Sequence, residues 1–155
     1  MTAPGSPLPP DHPLARFEPL RRAERILLRA FRHGDIARIG LRRPVEASDD
    51  VTVRAAFLAE LALHGAGRAQ GRRIQLLGAW VLGRLDLGEC EVPSSLWFFR
   101  CVFDTTPLFD GARVRGALSF PDCELPGLLA ERCRIAQDLA VNAGCSVASE
   151  VRLQQ

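Results

Sequence analysis

From Ile74 to Leu153 the apolar positions fall into one short pattern that returns about every eleven residues. Leu85, Leu87, Cys90 and Val92 make one copy, Leu96, Phe98, Cys101 and Phe103 another, and Leu118, Phe120, Cys123 and Leu125 a third. Each places an apolar residue, another two later, a small residue three after that, and an apolar residue two further on. The same spacing holds for Ile74/Leu76/Ala79/Val81, Pro107/Phe109/Ala112/Val114 and Leu128/Ala130/Cys133/Ile135. With one inserted residue it also fits Leu139/Val141/Cys145/Val147, and Val151/Leu153 open an eighth copy.

Alternation by two is the period of a strand, whose successive side chains point to opposite faces. It occurs twice per copy, so each copy is two very short strands with a corner after each. Eleven residues leave no room for a strand, a crossover helix and a return, which excludes βαβ units. They also leave no room for the back side of a leucine-rich repeat, whose period is about 20–29 residues. Two copies therefore make one coil of about 22 residues in a solenoid of parallel strands, under four coils in all. Inward positions then form columns along the axis. Ala79, Cys101, Cys123 and Cys145 are expected to share one, and Cys90, Ala112 and Cys133 the other.

Before the repeat the pattern changes. Residues 1–17 are expected to be a disordered tail, because the first thirteen carry five prolines and little apolar surface. Residues 18–70 are expected to form a cap of two helices. The first, 19–33, begins at Pro19 and ends at Gly34. Leu20, Ala23, Ile26, Leu27, Ala30 and Phe31 gather on one side of it, and Arg21, Arg22, Arg25, Arg29 and Arg32 on the other. Ile36 to Ala47 reads as a loop. The second helix, Val51 to His64, takes its N-cap from Ser48, Asp49 or Asp50, and is apolar nearly all round apart from Arg54 and Glu60. The cap is expected to cover the first edge strands of the β-helix, residues 71–155.

Composition adds little. All 20 basic residues are Arg, which fits a GC-rich coding bias, and the net charge of +2 names no partner. No apolar run approaches the roughly 18 residues of a spanning helix, and no secretion signal is evident, so a cytoplasmic, reduced environment is expected. The five cysteines lie 11, 22, 10 and 12 residues apart, with no C-x-x-C pair or neighbouring His. They occupy the small inward position that Ala fills elsewhere, and read as small hydrophobes rather than metal ligands. The run Gly65 to Gly71 lacks the dinucleotide spacing and sits between a helix and a strand, the reverse of the required order. His12, His33 and His64 lie in the tail and at helix ends, and the repeat has no His. No catalytic set, cofactor, metal site or small-molecule substrate emerges. Trp80, Trp97 and Phe99 stand out as aromatics at outward or corner positions; they mark an interface, unless the N-terminal helices fold back over Trp80.

The pairs Cys90/Val92, Cys101/Phe103, Ala112/Val114, Cys123/Leu125 and Cys133/Ile135 resemble pentapeptide-repeat proteins, which place a small residue two before a central Leu. That resemblance implies a right-handed quadrilateral β-helix. The chain departs from the family by carrying Glu91, Val102, Arg113, Glu124 and Arg134 where the family has Asp or Asn, and by using about 22 rather than 20 residues per coil. The run from Val51 through Leu87 is similar to the opening of longer β-helical proteins of GC-rich bacteria, some labelled membrane-associated oxidoreductases. The expected role is a non-enzymatic interaction or scaffold module, meeting a protein partner or a second copy through the last coil at Leu153. The alternatives are a peripheral membrane protein using its Arg-rich helix on an anionic surface, and a truncated relative of the longer proteins. Some pentapeptide-repeat proteins imitate duplex DNA, but residues 71–155 carry nine Arg against ten carboxylates, too balanced for mimicry; nucleic acid is not expected as a partner either.

Overall fold

Parallel pairing at a spacing of about 22 residues organises the second half of the chain. Ile74 pairs with Leu96 and Leu96 with Leu118; Trp80 pairs with Val102 and Val102 with Glu124; Glu91 pairs with Arg113. The structure, a computed structural model, describes residues 8–64 and 73–137, with the strand placement alone for Leu139–Ala140, Ser146–Val147 and Val151–Gln154. The protein is mainly β, with parallel strands and few helices.

The strands stack into four ladders, visited in turn. The first holds Ala37–Arg38, Arg73–Leu77, Ser95–Phe99, Leu118–Ser119 and Leu139–Ala140. The second holds Thr52–Arg54, Trp80–Leu82, Val102–Phe103, Glu124–Leu125 and Ser146–Val147. A third runs through single bridges from Asp86 to Leu108 and Leu129, then pairs Leu128–Glu131 with Val151–Gln154. The fourth holds Glu91–Val92, Arg113–Val114 and Arg134–Ile135.

Inward side chains form the core. Of the six repeat copies between Ile74 and Ile135, every pattern position is buried except Cys90, Cys133 and Ile135. Those three lie at the ends of the fourth ladder, where a neighbouring strand stands on one side only among the described residues. At the centre, Phe98 stacks on Phe120 with centroids 5.4 Å apart, and Phe103 and Phe109 meet Phe120 edge-on at 5.8 and 6.4 Å. Ala79, Cys101 and Cys123 follow one another in register, all fully buried. The Cys101 thiol reaches the Leu76 carbonyl at 3.4 Å and the Cys123 thiol reaches the Phe98 carbonyl at 3.1 Å, the same contact repeated one period later. Cys145 lies outside the described residues.

The residue before each small inward position turns the corner in the left-handed region. Gly78, Arg100 and Asp122 form one such series and Glu89, Gly111 and Arg132 the other, with φ between 49° and 72°. This conformation costs a non-glycine residue roughly 1–2 kcal/mol. The charged members also reach one another across layers: Arg100 meets Asp122 at 3.3 Å and Arg132 meets Glu89 at 3.4 Å. Gly111 lies between the last two, and a Cβ there would overlap the Glu89 carboxylate.

The N-terminal segment departs from expectation in four places. Residues 8–17 are not a loose tail: Leu14 and Phe17, three apart on a short 3-10 turn, are buried, and Leu8 packs against the core. Residues 1–7 lie outside the described part. The first helix, α1, spans Arg22–His33 rather than starting at Pro19, because Glu24 folds back to accept the Arg21 N–H at 2.8 Å. It ends at Gly34, whose φ is 73°. Ala37–Arg38, expected as loop, pairs in parallel with Leu76–Leu77. Finally, Thr52–Arg54 is a strand paired with Trp80–Leu82, and the second helix, α2, is only Ala55–His64. Consecutive Val51, Thr52 and Val53 favour extended backbone over the first turn of a helix. Strands, not helices, therefore pair with the first edges of ladders one and two.

Candidate interaction surface

The first ladder has an outward as well as an inward face. Along Arg73–Leu77 and Ser95–Phe99, buried residues alternate with partly exposed ones. Gln75, Trp97 and Ser119 follow in register on the outward side, and Leu77 lies beside Phe99. Trp97 and Phe99, two apart on one strand, meet edge to face with centroids 6.3 Å apart. The Arg73 guanidinium lies over the indole at 5.2 Å from its centroid, a cation–π contact. Both aromatics are half-buried.

Next to Trp97 is a cleft of about 350 Å³, lined among others by Arg73, Ser95, Arg115, Gly116 and Gln137. The Ser95 hydroxyl accepts the Ala117 N–H at 3.0 Å, and the bare Cα of Gly116 leaves room for that side chain. Arg115 spends two of its donors on Glu91, at 2.7 and 3.2 Å. That hydrogen bond, with the Arg115 charge, holds the Glu91 carboxyl below its usual range. The indole N–H of Trp97 is buried and has no partner among the described residues.

Trp80 does not join the aromatic pair. It belongs to the second ladder, beside Thr52, and its indole N–H reaches Asp104 at 3.2 Å. The neighbour on its N-terminal side is thus a strand rather than a folded-back helix. Leu153 sits in Val151–Gln154 opposite Ala130; its side chain lies outside the described residues, as does the Gly65 to Gly71 run.

On α1, Arg22, Arg25, Arg29 and Arg32 are exposed. Arg21 leaves this set: it is half-buried and bonded to Asp49 at 2.7 Å. Arg22 reaches the Asp50 carbonyl at 3.3 Å and Arg25 the Leu20 carbonyl at 2.7 Å, which fastens the start of the helix. His12 accepts the Leu14 N–H, and burial followed by the charge of Arg32 keeps its pKa low. Burial also pushes the Cys133 thiol up, with Asp110 adding to it.

The residues that sequence reasoning missed lie under α1. Glu24 is fully buried and accepts three hydrogen bonds from Arg54: the backbone N–H at 3.0 Å, Nε at 2.8 Å and Nη2 at 2.7 Å. Arg54 also donates to the Phe17 carbonyl at 2.6 Å and lies 5.5 Å from the Phe17 ring centroid. The pair joins the tail, α1 and the second ladder at one point. A signal existed, since Arg54 is a lone charge in an apolar run, but nothing in the sequence names its partner 30 residues earlier.

No protein-family model matches the chain, and no match was found among curated proteins or solved structures. Among the described residues no helix is long and apolar enough to cross a membrane, and no three His, Cys, Asp or Glu side chains converge as a metal would need.

Proposed function

We propose that the four ladders are the faces of a right-handed, pentapeptide-like parallel β-helix of about 22 residues per coil and under four coils. On it the chain acts as a non-enzymatic protein-interaction or scaffold module. The order of visits supports this architecture: each ladder is entered once per period and every pairing is parallel. A solenoid presents flat faces whose meaning lies in their outward side chains. The observation that carries the functional reading is the half-exposed Trp97–Phe99 pair on the five-stranded face, since clustered aromatics at outward positions mark contact surfaces. Quantitative affinity capture from the source cell tests it, comparing the wild-type chain with a Trp97→Ser/Phe99→Ser variant. A partner held by the first and lost with the second, at unchanged circular dichroism, is the expected result; identical captured sets would overturn the reading. Self-association through the last strands is tested by solution mass, with Leu153→Asp expected to split any dimer.

The exposed row Arg22, Arg25, Arg29 and Arg32 supports a second reading, peripheral attachment to an anionic membrane. Flotation with anionic vesicles, lost when Arg22, Arg25 and Arg29 become Glu, is its expected signature; no flotation of the wild-type chain would end it. The oxidoreductase label of the longer proteins it resembles attaches to no residue here.

A further inference from the structure

The cleft beside Trp97 is lined by two guanidinium groups and a hydroxyl, and no carboxylate is among its described lining residues. An indole N–H can only donate, and a guanidinium offers five donors and no acceptor. The Trp97 N–H is buried and has no partner among the described residues, so the indole offers the cleft its ring and not its donor. Arg73 uses the face of its guanidinium on the indole, and no carboxylate is among the described residues that line the cleft beside it. Arg115 has donors left over beyond those on Glu91. The Ser95 hydroxyl accepts from the Ala117 N–H, which leaves its own hydrogen free to donate.

From this imbalance we infer that the cleft between Arg73, Trp97 and Arg115 is a binding site for an oxyanion, a carboxylate or a phosphate. Two guanidinium groups suit either, because their planar forks match paired oxygens. Ser95, packed against the bare Cα of Gly116, brings its hydroxyl to the wall of the cleft. Glu91 is a built-in competitor: its carboxylate, from the same chain, already engages Arg115. The site stands on its own geometry, whichever partner the aromatic face meets.

The chain has two tryptophans, so its ¹⁵N spectrum carries two indole signals, which Trp80→Phe assigns. The probes are inorganic phosphate and, separately, N-acetyl-aspartyl amide, at ionic strength held constant with sodium chloride. The Trp97 signal is expected to move saturably with at least one probe, with a Kd of about 1 mM or tighter, while the Trp80 signal stays. Arg73→Ala is expected to weaken binding about tenfold. Glu91→Gln, which releases Arg115, is expected to strengthen it; the dispersed amide spectrum of each variant reports that the fold is intact. Preference for phosphate assigns the site to a phosphoryl group, and preference for the blocked aspartate to an acidic side chain. A Trp97 signal that follows sodium chloride alone, or identical titrations for wild type and Arg73→Ala, overturns the inference.

Discussion

Between Ile74 and Ile135 buried positions recur one layer on, as with Leu76 under Phe98 and Cys101 under Cys123. Between Leu8 and His64 nothing repeats. There a single carboxylate, Glu24, is bound to one guanidinium, and Phe17 meets Phe57 edge-on at 5.6 Å. In the repeat, stability is shared among equivalent layers. In the N-terminal segment it is concentrated in a few contacts that have no substitute.

The largest effects should come from the places where each strategy is densest. Phe120 touches three other rings, and Phe120→Ala should cost about 3–5 kcal/mol in urea denaturation. Glu24→Ala should cost about 3 kcal/mol, because it leaves the Arg54 guanidinium and two backbone N–H groups without their acceptor. Replacing both partners, as Glu24→Leu with Arg54→Met, should recover much of that loss. A double variant as unstable as Glu24→Ala would show that backbone capping, not the ion pair, is what Glu24 supplies. Next in size is Gly111→Ala, expected to cost about 1–2 kcal/mol from the left-handed corner alone. Arg132→Ala should be the smallest at under about 0.5 kcal/mol, since its pair with Glu89 is exposed.

Thiol chemistry sharpens the same contrast within the repeat. Cys101 and Cys123 are fully buried and should resist a maleimide in the folded protein, whereas half-exposed Cys90 and Cys133 should react. Cys133 should react slowly at neutral pH, because its raised pKa keeps it protonated; its rate should climb as pH rises through that pKa and the thiolate forms. A Cys101 that reacts as fast as Cys90 would remove it from the inward column.

What could be read from the chain follows from this difference. A period is visible in sequence because one geometric requirement is imposed many times, so the columns through Phe98, Cys101 and Val114 stand out without any coordinates. The corners were hidden by their tolerance: Gly78 and Gly111 hint at positive φ, but Arg100, Asp122, Glu89 and Arg132 occupy the same place. The Glu24–Arg54 pair occurs once and spans 30 residues, so no pattern announces it. The pattern predicts helix for Thr52–Arg54 because its apolar residues continue into α2; its tertiary partner, Trp80–Leu82, decides the matter. Trp97 and Phe99 were legible as outward aromatics. The donor-rich cleft was not, because it needs residues from three successive layers: Arg73, Ser95 with Trp97, and Arg115.

Everything rests on strands meeting their counterparts one layer away, in parallel. Backbone nuclear Overhauser contacts in a deuterated, amide-labelled sample read this directly. Leu96 should show cross-strand contacts to the neighbourhoods of both Ile74 and Leu118. Contacts pairing Arg73–Leu77 with Trp80–Leu82 as an antiparallel hairpin would contradict it.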